Sequence, residues 1–347
     1  MSNQKLKAAI VGASGFTGSE LARLLLNHSE VTIEIITSES HVGKPFSDLH
    51  PQFFNRLDIP LVSADEVGNS NPDVIFLALP HGVSMDFVAK WKDSGAKIID
   101  LSGDFRLSGK EVYEQWYDKK HSYPEGFDAA VYGLPELFAE QIKGANLVAN
   151  PGCYPTASIL SMAPLFAKRL VREKSLIIDA KSGLTGAGVK ASATTHFSSV
   201  NENFKAYGIA GHRHTIEIEE QLGALAGHQT AVQFTPHLLP VDRGILVTAY
   251  AKVTGDMNQE KLTEIYRDFY QDKPFVRLRN QAPGIKDVRG SHFCDVFPVW
   301  DERTERVIVI SVIDNLLKGA ASQAVHNMNL MFGLAESEGL NQVPLKP

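Results

Sequence analysis

Residues 7–13, KAAIVGA, form an apolar run that leads without a break into Gly12-Ala13-Ser14-Gly15-Phe16-Thr17-Gly18. A helical pattern follows at 19–28, with Leu21, Leu24 and Leu25 on one face. A strand that ends in a glycine turn and opens a helix admits few folds. The same rhythm recurs through the first 150 residues. Apolar strands are predicted at 31–38, 73–80, 96–102 and 147–150, with a helix at 83–95 that stops at Gly95. Alternating strand and helix imply an α/β domain of Rossmann type, a doubly wound parallel sheet with right-handed crossovers.

The glycine turn has a chemical use. Glycines let the chain turn tightly and let a pyrophosphate approach the backbone, while the helix start offers N–H groups and a positive dipole end. The spacing is G-x-x-G-x-x-G, which departs from the G-x-G-x-x-G fingerprint. Gly12, Ser14, Gly15, Phe16, Thr17 and Gly18 are the expected cofactor contacts. An acid near the end of the second strand normally holds the ribose hydroxyls of NAD. That place reads Thr37-Ser38-Glu39-Ser40. Ser38 suits the 2′-phosphate of NADP(H), and Glu39 keeps NAD open.

Beyond residue 150 the pattern changes. A helix is predicted at 155–170, then strands at 175–183, 231–240 and 245–253, a helix at 259–271, a long hairpin at 291–314 and a last helix from 316 to 334. Long strands joined by short turns suggest a mostly antiparallel sheet in a second, α+β domain. The expected division is 1–150 and 151–314.

The chain has two cysteines, too few for a disulfide framework and without zinc-ligand spacing. That fits a reducing, cytoplasmic setting. Cys294 lies mid-strand and reads as core. Cys153 lies in Asn150-Pro151-Gly152-Cys153-Tyr154-Pro155-Thr156, between a strand and a helix. Gly152 suggests an unusual turn that presents the sulfur at a helix start, where the dipole favours thiolate, the nucleophilic form. A thiolate needs a base or an imidazolium partner. Of 12 histidines, those in Gly211-His212-Arg213-His214-Thr215-Ile216-Glu217 stand out. His214 and Glu217 share a helix face, so the carboxylate is placed to orient the ring, although His212 is also close enough to serve. Arg213 offers a fork to an anionic substrate. Zinc at His212 and His214 lacks further ligands, so no metal is expected. Arg106 follows a strand's C-terminal end, where phosphate can be held. The net charge of −6 argues against a nucleic-acid surface, and no run of about 18 apolar residues predicts a membrane span.

Together these features fit reduction of an acyl phosphate through a thioester. The stretches GASGFTG (12–18), LALPHG (77–82), DLSGDFRL (100–107), NPGCYPT (150–156), KSGLTGAG (181–188), GHRHTIEIEEQL (211–222), HLLPVDRGI (237–245) and DNLLKGAASQAVHNMNLMFG (314–333) resemble the N-acetyl-γ-glutamyl-phosphate reductase family, relatives of aspartate-semialdehyde dehydrogenase. One departure is Gly103, where many relatives have alanine. The resemblance implies that Cys153 is the nucleophile and that His214, with Glu217 behind it, is the acid/base. It makes Arg106 a substrate-phosphate contact. Ser182 and Gly183 would sit near the nicotinamide, Asn315 would fix its amide, and Pro80 and His81 would line the cofactor crevice. It also implies NADP(H) as cofactor, a small acyl-phosphate substrate, a last helix (315–334) that completes the first domain, and a homo-oligomer, dimer or tetramer. Rival expectations are aspartate-semialdehyde dehydrogenase, a reductase of carrier-bound aminoadipyl phosphate in lysine synthesis, and a redox-sensing dinucleotide module.

Overall fold

The computed structural model describes residues 5–346. The chain divides into two compact units: Met1–Pro151 with Ala320–Asn341, and Gly152–Gly319 with Gln342–Pro347.

The first unit holds six strands, β1 (Leu6–Val11), β2 (Val31–Thr37), β3 (Val74–Leu77), β4 (Lys97–Asp100), β5 (Ala130–Tyr132) and β6 (Leu147–Ala149). They pair in the order β2-β1-β3-β4-β6-β5, and every pairing is parallel. The predicted doubly wound sheet is therefore present. β3 is buried throughout, as a strand covered on both faces should be. All six strands point one way, so Gly12, Ser38, the segment after Leu77 and the segment after Asp100 lie along one edge of the sheet. The strand order reverses beside β1, and the ends of β1 and β3 form the switch point where such sheets bind ligands. The helix Ala321–Met331 is buried at every residue and packs on the helix Phe16–Leu25. It begins five residues later than predicted. The Asp314 carboxylate takes the N–H groups of Leu316 and Leu317, and that turn competes with a helix there.

The second unit holds β7 (Ile177–Ser182), β8 (Lys205–Ala206), β9 (Gln233–Leu238), β10 (Ile245–Ala251), β11 (Val276–Leu278), β12 (Cys294–Asp301) and β13 (Arg306–Ile313). The order is β11-β12-β13-β10-β7-β9-β8. Four of the six pairings are antiparallel, with β11·β12 and β7·β9 parallel.

One helix, Cys153–Ala167, forms the core on this sheet. It is buried from Tyr154 to Phe166 and apolar all round, the pattern of an enclosed helix. Pro164 has no N–H for the Leu160 carbonyl, and the Tyr270 hydroxyl donates to that oxygen instead. Tyr266 Oη donates to Ser161 O at 2.6 Å, and Ser311 Oγ to Ala157 O at 2.9 Å. The side chains of Val307, Val309 and Ser311 therefore face this helix, while the alternating positions of β13 face away from it.

Candidate active site

Cys153 is the first residue of its helix, two positions earlier than predicted, and is half-buried. Gly152 before it has φ −67° and ψ 152°, extended values open to any residue. The expectation of an unusual glycine turn is thus corrected: the chain enters the helix straight from the strand direction. The Gly152 N–H donates to Glu217 Oε1 at 2.8 Å. This places a carboxylate at the positive end of the helix. Thr156 N–H closes the first helical bond to Gly152 O at 2.9 Å. Pro155 has no N–H, which confines the donors that the first turn can present to Cys153 and Tyr154.

His214 and Glu217 lie in the helix His214–Ala226, both buried, and this helix packs on the Cys153 helix. Tyr154 meets both imidazoles, with ring centroids 5.9 Å from His212 and 6.0 Å from His214. Its hydroxyl donates to His237 O at 2.9 Å and accepts from Tyr207 Oη at 3.4 Å. Burial raises both phenols, Tyr207 to about 12 and Tyr154 further, so both remain protonated donors at neutral pH. Arg213 is exposed at the N-cap position of the His214 helix.

Gly319 was not foreseen. A Cβ there would fall 2.6 Å from Asn315 O and 2.8 Å from Cys153 Cβ. The only signal in the sequence was a glycine inside an otherwise helical run. Asn315 is buried, its Oδ1 accepts from Gly244 N–H at 2.7 Å, and its Nδ2 donates to Thr185 Oγ1 at 3.0 Å. Ser182 is buried and donates to Gly183 O at 2.9 Å. A Cβ on Gly183 would meet Asp242 O at 2.7 Å. The structure thus brings Ser182, Gly183 and Asn315 together around one loop, with the Asn315 amide engaged by protein on both atoms.

In the first unit the three glycines of the turn have separate causes. Gly12 has φ +87°, and its Cβ would strike Ala78 O at 2.6 Å. A Cβ on Gly18 would lie 2.5 Å from Ala13 Cα, so it lets helix and turn close up. Gly15 is the N-cap, and a Cβ there would meet nothing within 4 Å. Packing does not demand glycine at Gly15. The open space at this helix start leaves room for a pyrophosphate to approach the backbone, so the turn fits a dinucleotide.

Ser38 is buried, with its Oγ 3.3 Å from His41 Nδ1, which is also 2.9 Å from Ser40 Oγ. Glu39 Oε1 accepts from Ala64 N–H at 2.8 Å, which commits that acid to the neighbouring turn. His81 Nδ1 accepts from Gly103 N–H at 2.7 Å, and Asp104 Oδ1 accepts from Gly82 N–H at 2.7 Å. The loops after β3 and β4, including exposed Pro80, are tied together this way. Gly103 has a reason: a Cβ would meet the Tyr117 hydroxyl at 2.2 Å. Asp100, wholly buried, is raised to about 6 by desolvation and by the Asp104 carboxylate. Arg106 is buried, with Nε on Asn150 O and Nη2 on Leu101 O, both at 2.7 Å. These bonds hold it at the ends of β4 and β6.

Among the described residues, no group of three His, Cys, Asp or Glu side chains is placed to hold a metal, and no helix is long and apolar enough to cross a membrane.

Residues 7–145 match the family model for the semialdehyde dehydrogenase NAD binding domain, and residues 153–315 match that for the semialdehyde dehydrogenase dimerisation domain. Fold and sequence thus define a nicotinamide-dependent oxidoreductase of the semialdehyde dehydrogenase type. The aspartate semialdehyde dehydrogenase II of Vibrio cholerae, solved with ASA, has the same fold, with TM-score 0.72 and 18% identity, covering 95% of this chain and 99% of that one. The enzyme of Candida albicans, solved with NADP, superposes with TM-score 0.67 at 15% identity, over 94% and 98% of the two chains. The N-acetyl-gamma-glutamyl-phosphate reductase of Pelotomaculum thermopropionicum is 48% identical over 99% of both chains. That of Pelobacter propionicus is 49% identical over 99% of this chain and 100% of its own. The chain belongs to the N-acetyl-γ-glutamyl-phosphate reductase family.

Proposed function

We propose that this chain reduces N-acetyl-γ-glutamyl phosphate to N-acetylglutamate 5-semialdehyde, with release of phosphate, as a step of arginine biosynthesis. The observation that carries the reading is Cys153 itself, half-buried at the first position of a helix whose preceding N–H is held by Glu217. The sulfur, as thiolate, attacks the γ-carbonyl carbon. The C–S bond forms, and the Cys153 and Tyr154 N–H groups receive the oxyanion. The C–O bond to phosphate then breaks, and a thioester stands on Cys153. Arg106 and Arg213 steady the anionic groups of the substrate. When bound, a nicotinamide cofactor would supply hydride chemistry; the turn Gly12–Gly18 would hold its dinucleotide, and Ser182, Gly183 and Asn315 are the residues proposed for its ring. His214 gives a proton to the carbonyl oxygen as the thioester carbon is reduced and takes it back as the C–S bond breaks, so that the aldehyde leaves and the thiolate is restored.

NADPH is the proposed donor. Glu39, the one acid beside Ser38, has its carboxylate on Ala64 N–H, which supports a 2′-phosphate at Ser38, Ser40 and His41 over a ribose hydroxyl at Glu39. The test runs the reaction backwards. NADP and NAD reduction are followed with phosphate or arsenate and each of three aldehydes, those of N-acetylglutamate, aspartate and aminoadipate. The N-acetylglutamate semialdehyde with NADP is expected to lead in kcat/KM by about 10²-fold or more, the scale on which contacts to a missing group discriminate. A lead for another aldehyde would reassign the substrate, and parity of NAD would reassign the cofactor.

The dimerisation domain supports an oligomer, and we place its contact on the helix-free face of the second sheet. Tyr250, Ile308 and Val299 lie in one cross-strand row there, and Thr248, Ile310 and Phe297 in the next, all half-exposed. Such a contiguous apolar face marks an association surface. Ile310→Asp is expected to convert the oligomer to folded monomer in analytical ultracentrifugation. An unchanged sedimentation coefficient would move the contact elsewhere.

A further inference from the structure

The inference concerns His212 and rests on the reading that His214 transfers the proton. The His214 helix begins without an ordinary cap. Its N-cap residue, Arg213, already has helical dihedrals (φ −56°, ψ −25°) and makes no side-chain cap. Serine, threonine, aspartate or asparagine would normally serve there. Instead, His212 Nδ1 accepts the N–H of His214 at 3.1 Å. That N–H belongs to the first residue of the helix and to the residue that carries the proposed acid/base.

The His212 ring has little freedom. Its centroid lies 4.8 Å from that of His214, 5.5 Å from Tyr207, 5.5 Å from Phe234 and 5.9 Å from Tyr154, each pair steeply inclined. The main chain closes a further side, since a Cβ on Gly208 would lie 3.1 Å from His212 Cδ2. We propose that His212 is a positioning residue: through Nδ1 it caps the helix start and, caged by Tyr154, Tyr207 and Phe234, fixes the orientation of the His214 imidazole. It exchanges no proton with the substrate.

The charge state agrees with this geometry. Burial, and then the Arg213 guanidinium, lower the His212 pKa from 6.5 to about 4. The ring is neutral at working pH, its lone pair on Nδ1 and its proton on Nε2. The rings packed on it, His214, Tyr154, Tyr207 and Phe234, carry no carboxylate, the neighbouring Arg213 is a cation, and the Cys153 sulfur acts on the two tyrosines. Because the folded pKa is depressed, the stability that the neutral ring contributes is present above about 6.5 and is lost as pH falls through about 4.

The test measures kcat and KM across the neutral and alkaline range for the full-length enzyme and its His212→Ala, His212→Asn and His214→Asn variants. His212→Ala is expected to lose kcat by about 10- to 100-fold, the scale on which small misplacements act. KM and the shape of the pH profile should stay those of the wild type, while the melting temperature falls by a few degrees with the lost cap. The asparagine oxygen accepts the same N–H, so His212→Asn should recover most of the lost kcat. If the alanine variant does not fold, nitrogen-15 NMR of the wild type decides, the expected result being a neutral Nε2–H tautomer at neutral pH. The proposal is overturned if His212→Asn loses as much as His212→Ala, if either removes a limb of the pH profile, or if the His212 ring titrates near neutrality. A His214→Asn variant with wild-type kcat and pH profile would instead sink the reading of His214, a result that the His212 variants cannot produce.

Discussion

Cys153→Ser is expected to abolish turnover by about 10⁴-fold or more, the scale on which loss of a covalent nucleophile acts, while leaving the fold and NADPH binding intact. The two consequences separate for a structural reason. Serine differs from cysteine by one atom, and three contacts that set this turn are made by other atoms. Gly152 N–H still meets Glu217, Thr156 N–H still meets Gly152 O, and the Cβ against Gly319 is unchanged. The glycine turn at Gly12–Gly18 belongs to the other unit. The chemistry does depend on the sulfur. A helix start favours an anion by roughly 0.3–1 kcal/mol, enough to matter to a thiol and far too little to ionise an alcohol. The measurements are steady-state rate, circular-dichroism melting and a fluorescence titration with NADPH. A serine variant within tenfold of wild-type kcat would end the thioester scheme.

Gly319→Ala should have the next largest effect, although Gly319 itself takes no chemical part in the mechanism. The added carbon would fall 2.6 Å from Asn315 O and 2.8 Å from Cys153 Cβ, and neither is the loose end of a flexible side chain. The turn cannot simply move aside. Gly319 N–H is bonded to Asp314 O, Asp314 Oδ1 holds Leu316 and Leu317, and Asn315 is anchored to Gly244 and Thr185. The strain therefore passes to the start of the Cys153 helix or to the loop beside Ser182. Overpacking of this kind costs about 1–3 kcal/mol, and a displaced nucleophile about 10²-fold in rate. Melting temperature should fall by a few degrees, and both single-turnover rate and iodoacetamide alkylation of Cys153 should slow. Wild-type values for both rates would show that the contact has no bearing on the sulfur.

The legible part of this protein was local. Strand and helix in the first unit follow from apolar periodicity, and β1, β3 and β4 lie where runs of Val, Ile and Leu end in turns. The glycine turn was readable because Gly12, Gly15 and Gly18 sit between a strand and a helix. Cys153 was readable because a thiol between two prolines at a strand end has few structural uses. Local reading misled where one residue type suggested a special conformation. Gly152 is extended, and Leu316 and Leu317 belong to a turn capped by Asp314.

Side-chain periodicity and turn chemistry act over two to four residues, so the sequence alone located the main strands and helices, but not the short strands β5, β8 and β11 or the starts of the helices at Cys153 and Ala321. The partners across the fold were decided by the tertiary structure. Glu217 on Gly152, Gly319 against Cys153, Arg106 on Asn150 and the ring of His212 between Tyr154 and Tyr207 all depend on how helices settle on sheets. Such contacts are set by packing, in which each side chain fills whatever space its distant neighbours leave, and no local pattern encodes that space.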